Sequence, residues 1–256
     1  MNVTKRNGDV VGFDVEKIHK VLEWATEGLN GVSFSDVEMN ANLSLYDKIP
    51  TSEIHQILIK SANDLISEAA PNYQYVAARL LNMQLRKDVW GVGDRSPNFH
   101  HFIAVRIDNG VYDPTILEKW SKEDVDKLES YINHSRDDLF TYAGLQQLID
   151  KYLVKNRSTG EIFETPQFAY MLIAMCLFDD INEVKEAYDT YSTFKINLPT
   201  PIMAGVRTTI KQFASCVLVD VDDDLDSIFS SLHAIGKYTA RRAGIGLNMG
   251  RIRPIN

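Results

Sequence analysis

The run Phe213-Ala-Ser-Cys-Val-Leu-Val219 limits the folds open to this chain more than any other stretch. It is apolar and β-branched, holds one cysteine near its centre, and ends at the acidic cluster Asp220-Val-Asp-Asp-Asp224, so it reads as a strand buried in a sheet or barrel. The acids that follow read as a helix start set against the macrodipole. A companion segment, 244–252, is short and apolar and carries Gly244, Gly246 and Gly250. Glycine inside a strand marks a place where a ligand or another backbone comes close.

The 256 residues leave room for more than one core, and 45% hydrophobic with 24% charged residues is ordinary for a globular protein. A formal charge of −8 argues against broad binding to a nucleic-acid backbone, although a single nucleotide needs only one local pocket. No apolar run has the length of a membrane span and the first residues lack the apolar centre of a signal peptide, so no membrane partner and a cytoplasmic location are expected. Two cysteines, Cys176 and Cys216, are too few for a secreted disulfide framework and have no metal-ligand spacing. The histidines form no HExxH pattern, and the chain itself is expected to hold no metal.

Val3 to Phe13 places Asn7-Gly8 between two alternating segments, which predicts a β-hairpin. Asp14 then caps a helix with Val15, Ile18, Val21, Leu22, Ala25 and Leu29 at helical spacing, and a second helix covers Ser35 to Leu45. Thr51 caps a third, with Ile54, Ile57, Leu58, Ala62, Leu65 and Ile66 as its buried stripe and Pro71 closing it, and a fourth runs from Tyr73 to Trp90. The breakers in 91–97 mark the first domain boundary. Beyond it, Ser121-Lys-Glu-Asp124 has capping-box spacing, Asp137 or Asp138 opens a helix to Leu153, and 155–163 reads as a hairpin-like excursion. Thr165-Pro166 predicts an N-cap for an all-apolar helix to Phe178, on which Cys176 is a packing residue. The chain divides accordingly into 1–90, 91–196 and 197–256.

Several strings then carry a family resemblance. Val3-Thr-Lys-Arg-Asn-Gly8, the Asp14 to Ile18 helix start, Thr51-Ser-Glu-Ile-His55, Pro71 to Arg79 and Leu85-Arg-Lys87 resemble the ATP-cone, the overall-activity domain of ribonucleotide reductases. The resemblance implies an ATP or dATP pocket lined by Lys5, the segment Val11, Gly12, Phe13, Asp14, Val15, Glu16 and Lys17, together with Thr51, His55 and Lys87. The chemistry agrees, since lysines supply point charges for a triphosphate and a helix start offers free N–H groups. Glu53 stands where many members carry Asp, which favours nucleotide binding over tight dATP inhibition.

Leu198-Pro-Thr-Pro-Ile-Met203, Gln212 to Leu218 and Arg242-Ala-Gly-Ile-Gly-Leu-Asn248 closely resemble the opening of the catalytic barrel in the class I reductase large subunit. A strand cysteine is more often a small buried hydrophobe than a reagent. Here the resemblance implies that Cys216 is one of a redox pair, with Thr200, Ser215 and Gly244 holding the nucleoside diphosphate. It further implies a specificity site for a deoxynucleoside triphosphate at Asp223, Asp224, Leu225 and Arg253, across a subunit interface. Leu225 and Ser231 occupy positions where a calcium loop needs Gly and Glu, which excludes calcium. The third glycine of the 244–250 pattern is one place late for a dinucleotide fingerprint, so these glycines read as backbone clearance beside substrate.

The expected fold is therefore mainly α with α+β parts: an ATP-cone (hairpin plus four-helix unit), a helical domain, and the first strands of a ten-stranded α/β barrel. The expected function is the amino-terminal part of a ribonucleoside-diphosphate reductase large subunit, catalytically incomplete alone. Its partners would be the remaining carboxy-terminal part as a separate polypeptide (a split subunit), a second large subunit, a small subunit supplying the radical from its di-metal centre, and thioredoxin or glutaredoxin as reductant. ATP, dATP and deoxynucleoside triphosphate effectors would bind with Mg. Two rivals stand beside it: a non-catalytic ATP/dATP-binding module, although the zinc-ribbon cysteines of cone-bearing repressors are absent here, and a class II or III reductase fragment.

Overall fold

A computed structural model of the chain describes every residue except 43, 92–94, 157, 242, 255 and 256. Its elements in chain order are β1 (Asn2–Thr4), β2 (Val10–Gly12), α1 (Val15–Thr26), α2 (Phe34–Asn42), β3 (Ile49–Pro50), α3 (Thr51–Asp64), α4 (Tyr73–Trp90), α5 (Phe99–Asp108), α6 (Thr115–Lys119) and α7 (Lys122–Tyr131). There follow a 3₁₀ turn (His134–Leu139), α8 (Tyr142–Lys151), α9 (Pro166–Leu177), α10 (Ile181–Ser192), α11 (Thr200–Gly205), β4 (Cys216–Asp220), α12 (Leu225–Ala240) and β5 (Gly244–Asn248). Two compact units result, one of Met1–Phe99 with Glu129–Ala169, the other of His100–Leu128 with Tyr170–Asn256. The breaker stretch 91–97 lies partly outside the described residues.

In the first unit β1 and β2 pair antiparallel with Val3 opposite Val11. The hairpin closes through the Lys5 N–H to the Asp9 carbonyl at 2.8 Å, and Gly8 takes a φ of +90° that a side chain would resist. A third strand, β3, pairs parallel to β1 with Ile49 beside Val3. It is too short for periodicity to show in the sequence. Beneath this sheet Leu22, Ala25, Val37, Ile49, Val76 and Leu80 are fully or almost fully buried. The predicted stripe of α3 needs trimming: the helix stops at Asp64, so Ile66 lies beyond it and is exposed.

The caps differ from expectation in four places. Asp14 occupies the cap of α1, but its carboxylate makes no capping bond and lies 3.3 Å from Lys17. Thr51 is the first helical residue of α3, and Pro50 sits at the cap with its φ already suitable. Asp137 opens no helix. Its carboxylate is taken by Arg86, Asn82 and Gln167, so the chain makes a 3₁₀ turn there, and α8 starts only after Thr141 accepts from the Gly144 N–H. The excursion 155–163 is a bridge between Lys155 and Ile162. At α9 the buried Thr165 hydroxyl has no partner among the described residues, and the Thr165 carbonyl takes the Ala169 N–H.

In the second unit Ser121 and Asp124 form the expected box, with Asp124 N–H to Ser121 Oγ at 3.2 Å and Ser121 Oγ to Asp124 Oδ2 at 2.8 Å. Helix α10 went unread in the sequence, although Asp180 caps it through the Asn182 and Glu183 N–H groups and Val184, Ala187, Tyr188 and Tyr191 form its buried stripe. The proline-rich 198–203 stretch contains the start of the short helix α11. Strands β4 and β5 run parallel, joined by α12, with Cys216 opposite Gly244 and Leu218 opposite Gly246. No closed barrel forms among the described residues. Nor is β4 the buried strand expected: Cys216 and Asp220 are exposed and Leu218 is 88% exposed, because only the alternate positions Val217 and Val219 lie half-covered. No described helix is long and apolar enough to cross a membrane.

Candidate functional site

The hairpin, the start of α1, the start of α3 and the end of α4 enclose a cavity of about 260 Å³. Its wall includes Lys5, Val11, Gly12, Phe13, Asp14, Lys17, Thr51, His55 and Lys87, all named from the sequence. Val15 and Glu16 do not line it and point outward. A helix advances 100° per residue, so Asp14, Lys17, Ile18 and Val21 share the inner face while 15 and 16 turn away. The sequence reading missed Val3, Ile18, Val21, Ile54 and Leu58 as site residues, although the last four already stood in the predicted apolar stripes. They form an apolar floor suited to a flat ring.

A second hollow, of about 420 Å³, shares Lys5, Thr51, His55 and Lys87 and adds Arg6, Asn7 and Gln84. Arg6 bonds Asp88 at 3.1 Å. The two hollows together set an apolar compartment beside a basic one, which matches a base and its phosphates. His55 adds no positive charge at neutral pH. Burial pushes its pKa down to about 4, and its Nε2 donates to the Leu80 carbonyl at 2.7 Å, which leaves Nδ1 as an acceptor.

At the thiol strand, the Gly244 N–H donates to the Ser215 carbonyl at 2.8 Å, and a Cβ at position 244 would lie 3.9 Å from Cys216 Sγ. Glycine at 244 therefore leaves the exposed sulfur uncovered. A Cβ at Gly246 would stand 2.6 Å from Leu218 Cδ2, the far end of an exposed side chain that can turn aside. Thr200 is exposed on the first turn of α11 and shares no hydrogen bond with Ser215, Cys216 or Gly244 among the described residues. Cys176 is the chemical opposite of Cys216. Burial pushes its thiol up to about 11, as suits a packing residue.

Around α12, Arg253 meets Asp223 at 2.9 Å, joining two residues thirty apart in sequence. Asp224 is occupied as the N-cap, accepting the Ser227 N–H at 2.8 Å, and Leu225 stands in solvent. Arg251, unmarked in the sequence, bonds Asp222 at 3.0 Å and lies near Asp220. No group of side chains suited to hold a metal ion occurs among the described residues.

A half-basic, half-apolar cavity under a hairpin and an exposed cysteine on a parallel strand pair are the two candidate sites of the chain. The domain matches narrow their reading: residues 1–88 match the ATP cone domain, 138–211 the ribonucleotide reductase all-alpha domain, and 214–256 the ribonucleotide reductase barrel domain. The chain belongs to the ribonucleotide reductase large-subunit family and aligns with its amino-terminal third. It is 50% identical to ribonucleoside-diphosphate reductase 1 subunit alpha of Salmonella typhimurium, over 99% of this chain and 34% of that protein. It is 46% identical to the alpha subunit of Enterobacteria phage T4, over 99% and 34%, and 35% identical to that of Helicobacter pylori, over 100% and 32%. The chain thus spans about a third of the length of these relatives.

Proposed function

We propose that this chain is the regulatory and opening catalytic portion of a ribonucleoside-diphosphate reductase large subunit. The observation that carries the reading is the cavity under the hairpin, where Lys5, Thr51, His55 and Lys87 from three separate elements converge beside an apolar floor. ATP or dATP would place its base on that floor and its phosphates, with Mg, against the lysines. Asp223 and Arg253 would take the ribose and phosphates of a second, specificity effector at a large-subunit dimer interface.

In catalysis Cys216 would act as one of two thiols. The pair gives two electrons and two protons to the ribose, the 2′ C–OH becomes C–H with water leaving, and the sulfurs join as a disulfide. Exposure of Cys216 and the clearance at Gly244 support that role. The second thiol, the radical from a small subunit and re-reduction by thioredoxin or glutaredoxin would come from outside these residues.

Calorimetry with ATP tests the carrying observation. Lys5→Ala should weaken binding about tenfold, as expected for one lost charge-assisted contact, without shifting the melting temperature. Unchanged affinity would refute the site. Supplied with the rest of a large subunit and a small subunit, Cys216→Ser should abolish ribonucleoside-diphosphate reduction while effector binding persists.

A further inference from the structure

Arg86 and Lys87 are neighbours near the end of α4 but face different surroundings. Lys87 lines the nucleotide cavity, whereas Arg86 lines neither hollow. Its guanidinium reaches Asp137 Oδ2 at 2.7 Å and the His134 carbonyl at 2.9 Å, 5.6 Å from the centre of the Trp90 ring. The Asp137 side chain is wholly buried. Its Oδ2 also accepts from Asn82 Nδ2 at 3.1 Å, and its Oδ1 from Gln167 Nε2 at 2.8 Å. Burial pushes the Asp137 pKa up, while the Arg86 charge and the donors Gln167 and Asn82 oppose that shift and favour the carboxylate. One charge therefore ties together α4, the 3₁₀ turn and the first turn of α9.

Such a knot tolerates little displacement, since separating a buried ion pair leaves an uncompensated charge. A ligand that holds Lys87 must constrain the turn that carries Arg86. We propose that the Arg86–Asp137–Gln167 network transmits nucleotide occupancy from the cavity to the start of α9. The inference rests on the nucleotide reading of the cavity. Coupling is reciprocal, so loosening the network must change nucleotide affinity although neither Arg86 nor Asp137 lines the cavity.

Hydrogen exchange of the whole chain, with and without saturating ATP and Mg, tests this alongside calorimetry. Residues 134–139 and 166–169 should exchange about fivefold more slowly with ATP, the lower end of ordinary coupling. Arg86→Lys keeps the charge but loses the forked geometry. It should lower ATP affinity about fivefold and abolish that protection. ATP binding with no change in either segment, or with equal slowing throughout α10, overturns the inference and leaves the cavity reading intact. Absence of ATP binding overturns both. Should Arg86→Lys fail to fold, the exchange of the unsubstituted chain decides.

Discussion

The hairpin-and-helix region and the β4–α12–β5 region both build a site where strands meet helices, but they complete it to different degrees. In the first, Leu22, Ile49, Val76 and Leu80 are fully buried and the cavity is lined by the region's own elements. In the second, Leu218, Leu225, Phe229 and Leu232 stand in solvent and the cysteine lies open. The register of two strands suffices to set Gly244 beside a sulfur. Enclosing that sulfur takes surface the pair does not possess. A lined cavity can thus be built by one local unit, whereas the register of β4 and β5 places a sulfur without covering it.

The sharpest test of this contrast is packing. Leu22→Ala should destabilise the first unit by about 2–5 kcal/mol in urea unfolding, while Leu218→Ala should change stability by less than about 0.5 kcal/mol. Equal effects would break the comparison. Thiol labelling at pH 8 should come next in size: Cys216 should react first and Cys176 at least about a hundredfold more slowly, because a thiol raised to about 11 is roughly a thousandth ionised there.

A pH titration sharpens it further. His55 and His134 are buried neutral and both lie near 4, lowered chiefly by desolvation, with Arg86 adding to the effect at His134. The unfolded chain, at about 6.5, binds more protons between these values, so stability is full above about 6.5 and falls as pH drops toward 4. Each histidine should cost roughly 2 kcal/mol at pH 5, visible as a falling urea midpoint of the first unit. Among the smallest effects, Asp224→Ala should weaken α12 by about 1 kcal/mol through loss of its cap, read as reduced helicity in the second unit.

Much of this was legible one residue at a time. The hairpin, the order of helices through α4, the Ser121 box and the apolar α9 all rest on local spacing. Where the reading failed, a partner remote in sequence had intervened. Asp137 looked like a cap until Arg86 and Gln167 claimed its carboxylate, and β3 exists only because β1 offers an edge to Ile49.

By itself, then, the sequence determined the hairpin, most of the helices and the family to which its motifs point, because periodicity and turn residues are properties of adjacent positions. Only the tertiary structure decided that Val15 and Glu16 turn away from the cavity, that Asp223 meets Arg253, and that the Cys216 strand stands open. Those are matters of rotation, register and burial, and each is settled by atoms far along the chain.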